Sequence, residues 1–185
     1  MIYATTVTTK EELEQIHTLN KKNFKDHISN EEKQQEGFVT WLYSLDLLQQ
    51  IHQLAASVIV KDDNKVAGYA LVTPRDASAF HPDLKTMVNN LESLNYRGAP
   101  LKAYDYYIMG QICIDKAYRR KGIFNMLYQH HKKLYGNTYE LLVTEISASN
   151  SRSQKAHEKI GFKTIHTYHD AMDEWNVVTW DWSED

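Results

Sequence analysis

Between Ile112 and Phe124 the chain reads ICIDKAYRRKGIF, an apolar run that passes through a basic turn into an amphipathic stretch. A chain leaves a strand and enters a helix within so few residues only where the backbone bends tightly, and Gly122 permits that. The first N–H groups of such a helix point outward without intrahelical partners, and the helix dipole favours an anion beside them. Arg119, Arg120 and Lys121 add positive charge at the same place. The stretch has neither the glycine spacing and Lys-Ser/Thr end of a P-loop nor the three-glycine dinucleotide fingerprint. On these residues alone the turn is either an anion site or a solvated basic face shaped by its glycine.

The elements around it are read from periodicity. Residues 2–7 suit a strand, and Thr8 or Thr9 a cap for a helix with Glu11 and Glu12 in its positive first turn. After Ser29, Trp41, Leu45, Leu48 and His52 fall at helical spacing, which predicts a long helical region over 29–55, bent near Gly37. Residues 57–60 and 66–73 have strand character around Asp62, Asp63 and Asn64, and Pro74 ends the second strand. Within 75–100 the run HPDLKTMVNNLESL suits a helix with Pro82 in its first turn, followed by the loop YRGAP. This stretch departs most from a compact alternating plan and is placed to cover or shape a substrate site. Then come a strand at 106–114 and a helix at 122–135, whose buried face is Ile123, Leu127, His130 or His131, and Leu134. A strand at 139–146, a helix at 151–160 closed by Gly161, and a hairpin of 164–169 with 175–182 complete the order. The expectation is an α/β fold, a mixed central sheet flanked by helices, in one domain over residues 1–185.

Charge and cysteine usage exclude several functions. With 21 Lys plus Arg against 24 Asp plus Glu, the net charge is −3, which argues against indiscriminate nucleic-acid binding. The distribution is uneven: residues 115–133 hold six Lys and Arg against Asp115, and residues 170–185 hold six acids and no Lys or Arg. The first of these suits a small anionic ligand. Cys113 is the one cysteine, so no disulfide forms within the chain, and its apolar strand suits a small buried hydrophobe. The histidines are scattered and no metal-ligand spacing appears, so no metal site is expected. No run is apolar enough to span a membrane, and the N-terminus lacks a basic region followed by an apolar one. The expectation is a cytoplasmic monomer or homodimer without membrane or nucleic-acid partners.

Two segments carry a family likeness. Arg119-Arg120-Lys121-Gly122-Ile123-Phe124 resembles the acyl-CoA pyrophosphate loop of the GNAT superfamily of N-acetyltransferases, commonly Gln or Arg, two variable residues, Gly, one variable residue, then Gly or Ala. The preceding run from Ile112, Cys113 and Ile114 to Tyr118 is similar to the strand and approach that lead into that loop. Asn150 and Ala156-His157-Glu158-Lys159-Ile160-Gly161-Phe162 resemble the second CoA-binding segment, with Ser153 between them. The two half-motifs stand in the right order, separated by a helix and a strand. Phe124 departs from the usual Gly or Ala, and His157 stands where many members have a tyrosine that protonates the departing CoA thiolate.

The resemblance implies transfer of acetyl from acetyl-CoA to a primary amine, on a small molecule or a peptide, by direct attack on the thioester. It implies a splayed pair of central strands, here 107–115 and 139–146, with a strand N–H in the 111–114 region stabilising the carbonyl oxygen. Glu145, at a strand end, is the preferred base for the amine, against a structural role holding the 147–150 loop. His157 is read as a thiolate acid, against an ordinary packing residue. Asn150, Ser151 and Ser153 are most simply helix caps, with Asn150 also meeting the cofactor in the family. Trp41 or Tyr43, with one of Tyr104, Tyr106 and Tyr107, is placed to line the acceptor site, against core packing. The acidic C-terminal segment suggests a cationic acceptor. The competing reading is a catalytically weak or silent acyl-CoA-binding module.

Overall fold

A computed structural model describes residues 1–183. Strand β1 (Ile2–Thr6) leads to Thr9, which caps α1 (Lys10–Lys22). Thr9 Oγ1 accepts from the Glu12 N–H at 3.2 Å while the Glu12 carboxylate accepts from the Thr9 N–H, a reciprocal box that fixes the helix start. The expected long helix over 29–55 is two helices, α2 (Asn30–Glu36) and α3 (Leu45–Leu54), joined by an extended segment. Gly37 stops α2 at φ +75°, and Ser44 opens α3 by accepting from the Leu47 N–H at 3.1 Å. Between them Val39 is pinned to the end of α1, donating to Asn23 O at 3.1 Å and accepting from the Lys25 N–H at 2.9 Å.

Strands β2 (Val58–Asp62) and β3 (Lys65–Thr73) form the expected hairpin, and Pro74 follows β3. Helix α4 (Pro82–Ser93) and the two-residue strands β4 (Asn95–Tyr96) and β5 (Ala99–Pro100) occupy much of the following stretch, 75–100. The rest is β6 (Tyr106–Ile114), α5 (Ile123–Tyr135), β7 (Leu141–Ser147), α6 (Ser151–Ile160), β8 (Lys163–His169) and β9 (Glu174–Asp181). The main sheet runs β1-β2-β3-β6-β7-β9-β8, and β6 with β7 is its parallel pair.

Alternation along the strands assigns the two faces. Tyr69 and Leu71 pack under α1 and α3, whereas Ala70 and Val72 join Leu127 and Tyr128 of α5. Tyr106, Ile108, Leu141 and Val143 meet Val88 and Leu91 of α4, and their neighbours Tyr107, Met109 and Leu142 face α5. Thus α1, α3 and α4 cover one face and α5 the other. Leu134 is 40% exposed, contrary to expectation, because the buried stripe of α5 keeps a four-residue step through Ile123, Leu127, His131 and Tyr135. His131 is buried between the Tyr107 hydroxyl (2.7 Å) and Ala70 O (3.2 Å), and burial pushes it down to about 3.

Candidate active site

The parallel pairing of β6 with β7 covers only Tyr106–Ile108 against Leu141–Val143. Beyond that point β6 stays with β3 and β7 stays with β9, so the two strands part. At the fork the Thr144 hydroxyl donates to Met109 O at 2.8 Å. A bulge sets the next stretch of β6, since Leu71 alone stands opposite Gly110 and Gln111, between the pairs Ala70–Ile112 and Val72–Met109. Gly110 is the residue that fits there: a Cβ would come within 2.6 Å of Thr73 Oγ1 and 2.9 Å of the Tyr43 hydroxyl.

Two adjoining cavities flank the fork, sharing Phe38, Val39, Ile112, Asn150 and Ser153 as walls. The smaller, of about 230 Å³, lies over the basic turn and is lined by Ile112, Cys113, Ile114, Arg119, Arg120, Gly122, Ile123 and Phe124. Gly122 caps α5 at φ +77°, with no neighbour within 4 Å of where a Cβ would stand. The Met126 N–H makes the first bond of the helix, to Gly122 O, which leaves the N–H groups of the first turn for a ligand.

The basic residues of the turn have unequal roles. Arg119 donates to Asn23 Oδ1 at 2.8 Å and to Glu36 Oε2 at 3.1 Å, so it ties the turn to α1 and α2. Arg120 takes a left-handed φ of +63° and stays exposed, its guanidinium 3.7 Å from Glu36. Lys121 lies over the Tyr118 ring, 4.9 Å from its centroid, and does not line either cavity. Glu36 also meets Arg152 at 3.8 Å, so one carboxylate bridges three arginines. No local sequence signal announces Glu36, because its partners come from distant segments. Phe124 turns its ring edge-on to Tyr128 and His157, both at 5.1 Å, and thereby packs on the α6 side of the cavity. Cys113 is buried, and burial pushes its thiol up to about 12, far from a thiolate.

The larger cavity, of about 530 Å³, brings together Trp41, Gln111, Glu145, Asn150, Ser153, His157 and Tyr168. Asp83, Thr86, Met87 and Asn90 of α4 form another wall of this cavity. Tyr43, Tyr106 and Tyr107 are core residues, whereas Trp41 reaches the cavity. Burial raises the Glu145 carboxyl to about 7, against a hydrogen bond from Tyr168 that pulls it down, with Asp170 adding to the rise. Its Oε1 atom is buried without a hydrogen-bond partner. Asn150 Oδ1 caps α6 by accepting from the Ser153 N–H at 3.2 Å, and its Nδ2 donates to Phe38 O at 3.1 Å.

His157 is 1% exposed. Its Nδ1 lies 2.7 Å from Ser153 O and its Nε2 lies 2.6 Å from the Tyr128 hydroxyl. A carbonyl only accepts, so Nδ1 carries the proton and Nε2 accepts from Tyr128. Burial pushes the imidazole down to about 4, against the opposing pull of the Ser153 carbonyl, and it is neutral at pH 7. Both ring nitrogens are therefore occupied, and neither offers a proton to the cavity.

The family model described as Acetyltransferase (GNAT) matches residues 13–162, a span that holds both the forked parallel pair and the helix-capping turn. The chain belongs to that family. Solved structures share the fold of this GNAT acetyltransferase. The ribosomal-protein-S18-alanine N-acetyltransferase of Escherichia coli is 13% identical at a TM-score of 0.64, covering 98% of this chain and 94% of its own. An N-acetyltransferase from Staphylococcus aureus Mu50 is 18% identical at 0.63, covering 98% and 99%. The NatC complex, solved with a Gag peptide and CoA, contains a chain 13% identical at 0.65, covering 97% and 98%. Among curated protein sequences none matches this GNAT chain. Among its described residues no three His, Cys, Asp or Glu group to hold a metal, and no helix is long and apolar enough to cross a membrane.

Proposed function

We propose that this GNAT acetyltransferase moves acetyl from acetyl-CoA to a cationic primary amine, in a ternary complex without a covalent enzyme intermediate. The observation that carries this reading is the fork between β6 and β7, with the cap of α5 on one side and Glu145 on the other. The smaller cavity suits the phosphates of the cosubstrate, because the free N–H groups after Gly122 and the exposed Arg120 converge on it. When bound, acetyl-CoA supplies an acetyl group activated as a thioester.

The protein's part is orientation and proton handling. Backbone N–H groups of β6 in the 111–114 region offer donors to the carbonyl oxygen. Glu145, raised to about 7, takes the proton of the ammonium directly or through a water, so that a neutral amine attacks. We give His157 a positioning role: with Tyr128 and Ser153 it fixes the α6 wall, while the attacking nitrogen gives up its second proton to solvent as the C–S bond breaks and the departing thiolate takes one up from solvent. Asp83, Glu145 and Asp170 line the larger cavity with no Lys or Arg among its walls, which supports a cationic acceptor. Glu184 and Asp185 of the acidic segment lie outside the described residues. A single buried thiol makes no demand for an oxidising compartment, which supports the cytoplasm as the location.

Calorimetric titration with acetyl-CoA, followed by CoA-thiol release and product mass with cationic, neutral and acidic amines, tests the reading. Binding well below millimolar, weakened at least tenfold by Gly122→Val, with turnover of cationic amines, is the expected result. Millimolar binding, or an affinity that Gly122→Val leaves unchanged, overturns the cosubstrate site. Binding without turnover by any amine turns the assignment to a silent acyl-CoA-binding module.

A further inference from the structure

A polar cluster lies behind the larger cavity, inside an otherwise apolar layer. Asn20 on α1, Gln111 in the β6 bulge and Tyr69 on β3 are 1%, 8% and 0% exposed. Gln111 Oε1 accepts from Asn20 Nδ2 at 2.8 Å and from the Tyr69 hydroxyl. Gln111 Nε2 and Asn20 Nδ2 both donate to the carbonyl of Trp41, at 2.8 and 2.9 Å. Asn20 Oδ1 accepts from the Tyr43 N–H at 2.9 Å, and His17 Nδ1 meets Tyr43 O at 2.8 Å. The Tyr43 hydroxyl returns to the bulge and donates to Gly110 O at 3.3 Å.

Burying two amides this completely costs free energy unless every strong donor and acceptor is paired, and an apolar pair of the same volume would pack the layer more simply. What the amides add is direction. They grip the backbone of the extended segment 37–44, which lacks a helix or strand ladder of its own around Trp41. That segment carries Trp41, a wall of the larger cavity. The same Gln111 sits in the bulge whose backbone borders that cavity.

We propose that Asn20 and Gln111 are positioning residues that lock the acceptor wall at Trp41 to the β6 bulge, setting the distance between amine and acyl group. The kinetic part rests on the acetyltransferase reading, and the backbone part does not. Neither side chain serves as donor or base in the proposed reaction. Their effect passes through the Trp41 carbonyl and the Tyr43 N–H.

Two measurements test this. In native-state amide exchange, Asn20→Ala should speed exchange at Tyr43 and through 37–44 at least tenfold, while amides of β2 and β3 keep their protection. Unchanged exchange in 37–44, or one rate increase spread over the whole sheet, overturns the lock whether or not the protein is active. In steady-state kinetics, Gln111→Met should lower kcat/KM for the amine by roughly 10²-fold, the scale of a displacement near 1 Å, with the acetyl-CoA Kd within twofold. The double variant Asn20→Ala/Gln111→Met should cost no more than the worse single one, because both act on one carbonyl. Tyr69→Phe should stay within threefold of the parent, since Asn20 still donates to the same oxygen. Additive losses, or equal losses in acetyl-CoA affinity, reject the positioning role. A parent that acetylates no amine, with exchange in 37–44 still raised by Asn20→Ala, removes the acetyltransferase reading and leaves the lock standing.

Discussion

Burial, with a smaller push from Asp170, raises Glu145 from 4.5 in an open chain to about 7 in the fold. The folded state therefore favours the protonated carboxyl. Its contribution to stability is complete below pH 4.5 and is lost as pH climbs through 7, by about 3 kcal/mol at ~1.4 kcal/mol per pKa unit. Glu145→Gln should melt at the parent's temperature near pH 5 and well above it at pH 8. Activity runs the other way: the parent's kcat/KM should rise with pH through about 7, and Glu145→Gln should lower it 10²–10⁴-fold. A variant as active as the parent at pH 8 removes the base. His157 supplies the contrast. His157→Ala leaves the buried Tyr128 hydroxyl without its acceptor, a loss of about 1–3 kcal/mol in chemical denaturation, with kcat down less than tenfold. A fall of 10²-fold that His157→Tyr repairs would restore the acid role instead.

At the scale of elements, the strand–turn–helix at Gly122 and the helix opened by Asn150 were legible because their signals are local: a glycine, a cap, a periodic stripe. The region 29–55 misled for the same reason. Trp41 keeps helical spacing with Leu45, yet Gly37 and Ser44 cut the helix on both sides of an extended stretch held by remote backbone. Helix α2 also takes a place that no periodicity reveals. Lys116 pairs with its Glu32, Arg152 donates to its Gln35 O at 2.9 Å, and Glu36 bridges the arginines of the turn and of α6. A phosphate arriving at the turn meets a carboxylate already engaged with those guanidinium groups. Glu36→Gln should tighten acetyl-CoA binding severalfold in calorimetry at low salt, with the gain shrinking as salt screens the pocket. Weaker binding would show that Glu36 matters chiefly as the partner that orients Arg119.

At the scale of the molecule, the order of strands and helices was readable, but the order of strands in the sheet was not. That β6 lies beside β7, and parts from it after three pairs, is set by contacts remote in sequence: Thr144 on Met109 O, the bulge opposite Leu71, and the pull of β9 on β7. The polar lock of Asn20 and Gln111 was hidden likewise, since residues 91 apart in the chain share one bond. The fork has a consequence for cooperativity. A four-stranded leaf, β1-β2-β3-β6, and a three-stranded leaf, β7-β9-β8, meet along a seam of three residue pairs. Ladder bonds are a large part of what makes strands open together, so across this seam the leaves are joined chiefly by the core they share under α5. A ligand that bonds both free edges adds rungs to that seam and ties the leaves together through backbone as well as core.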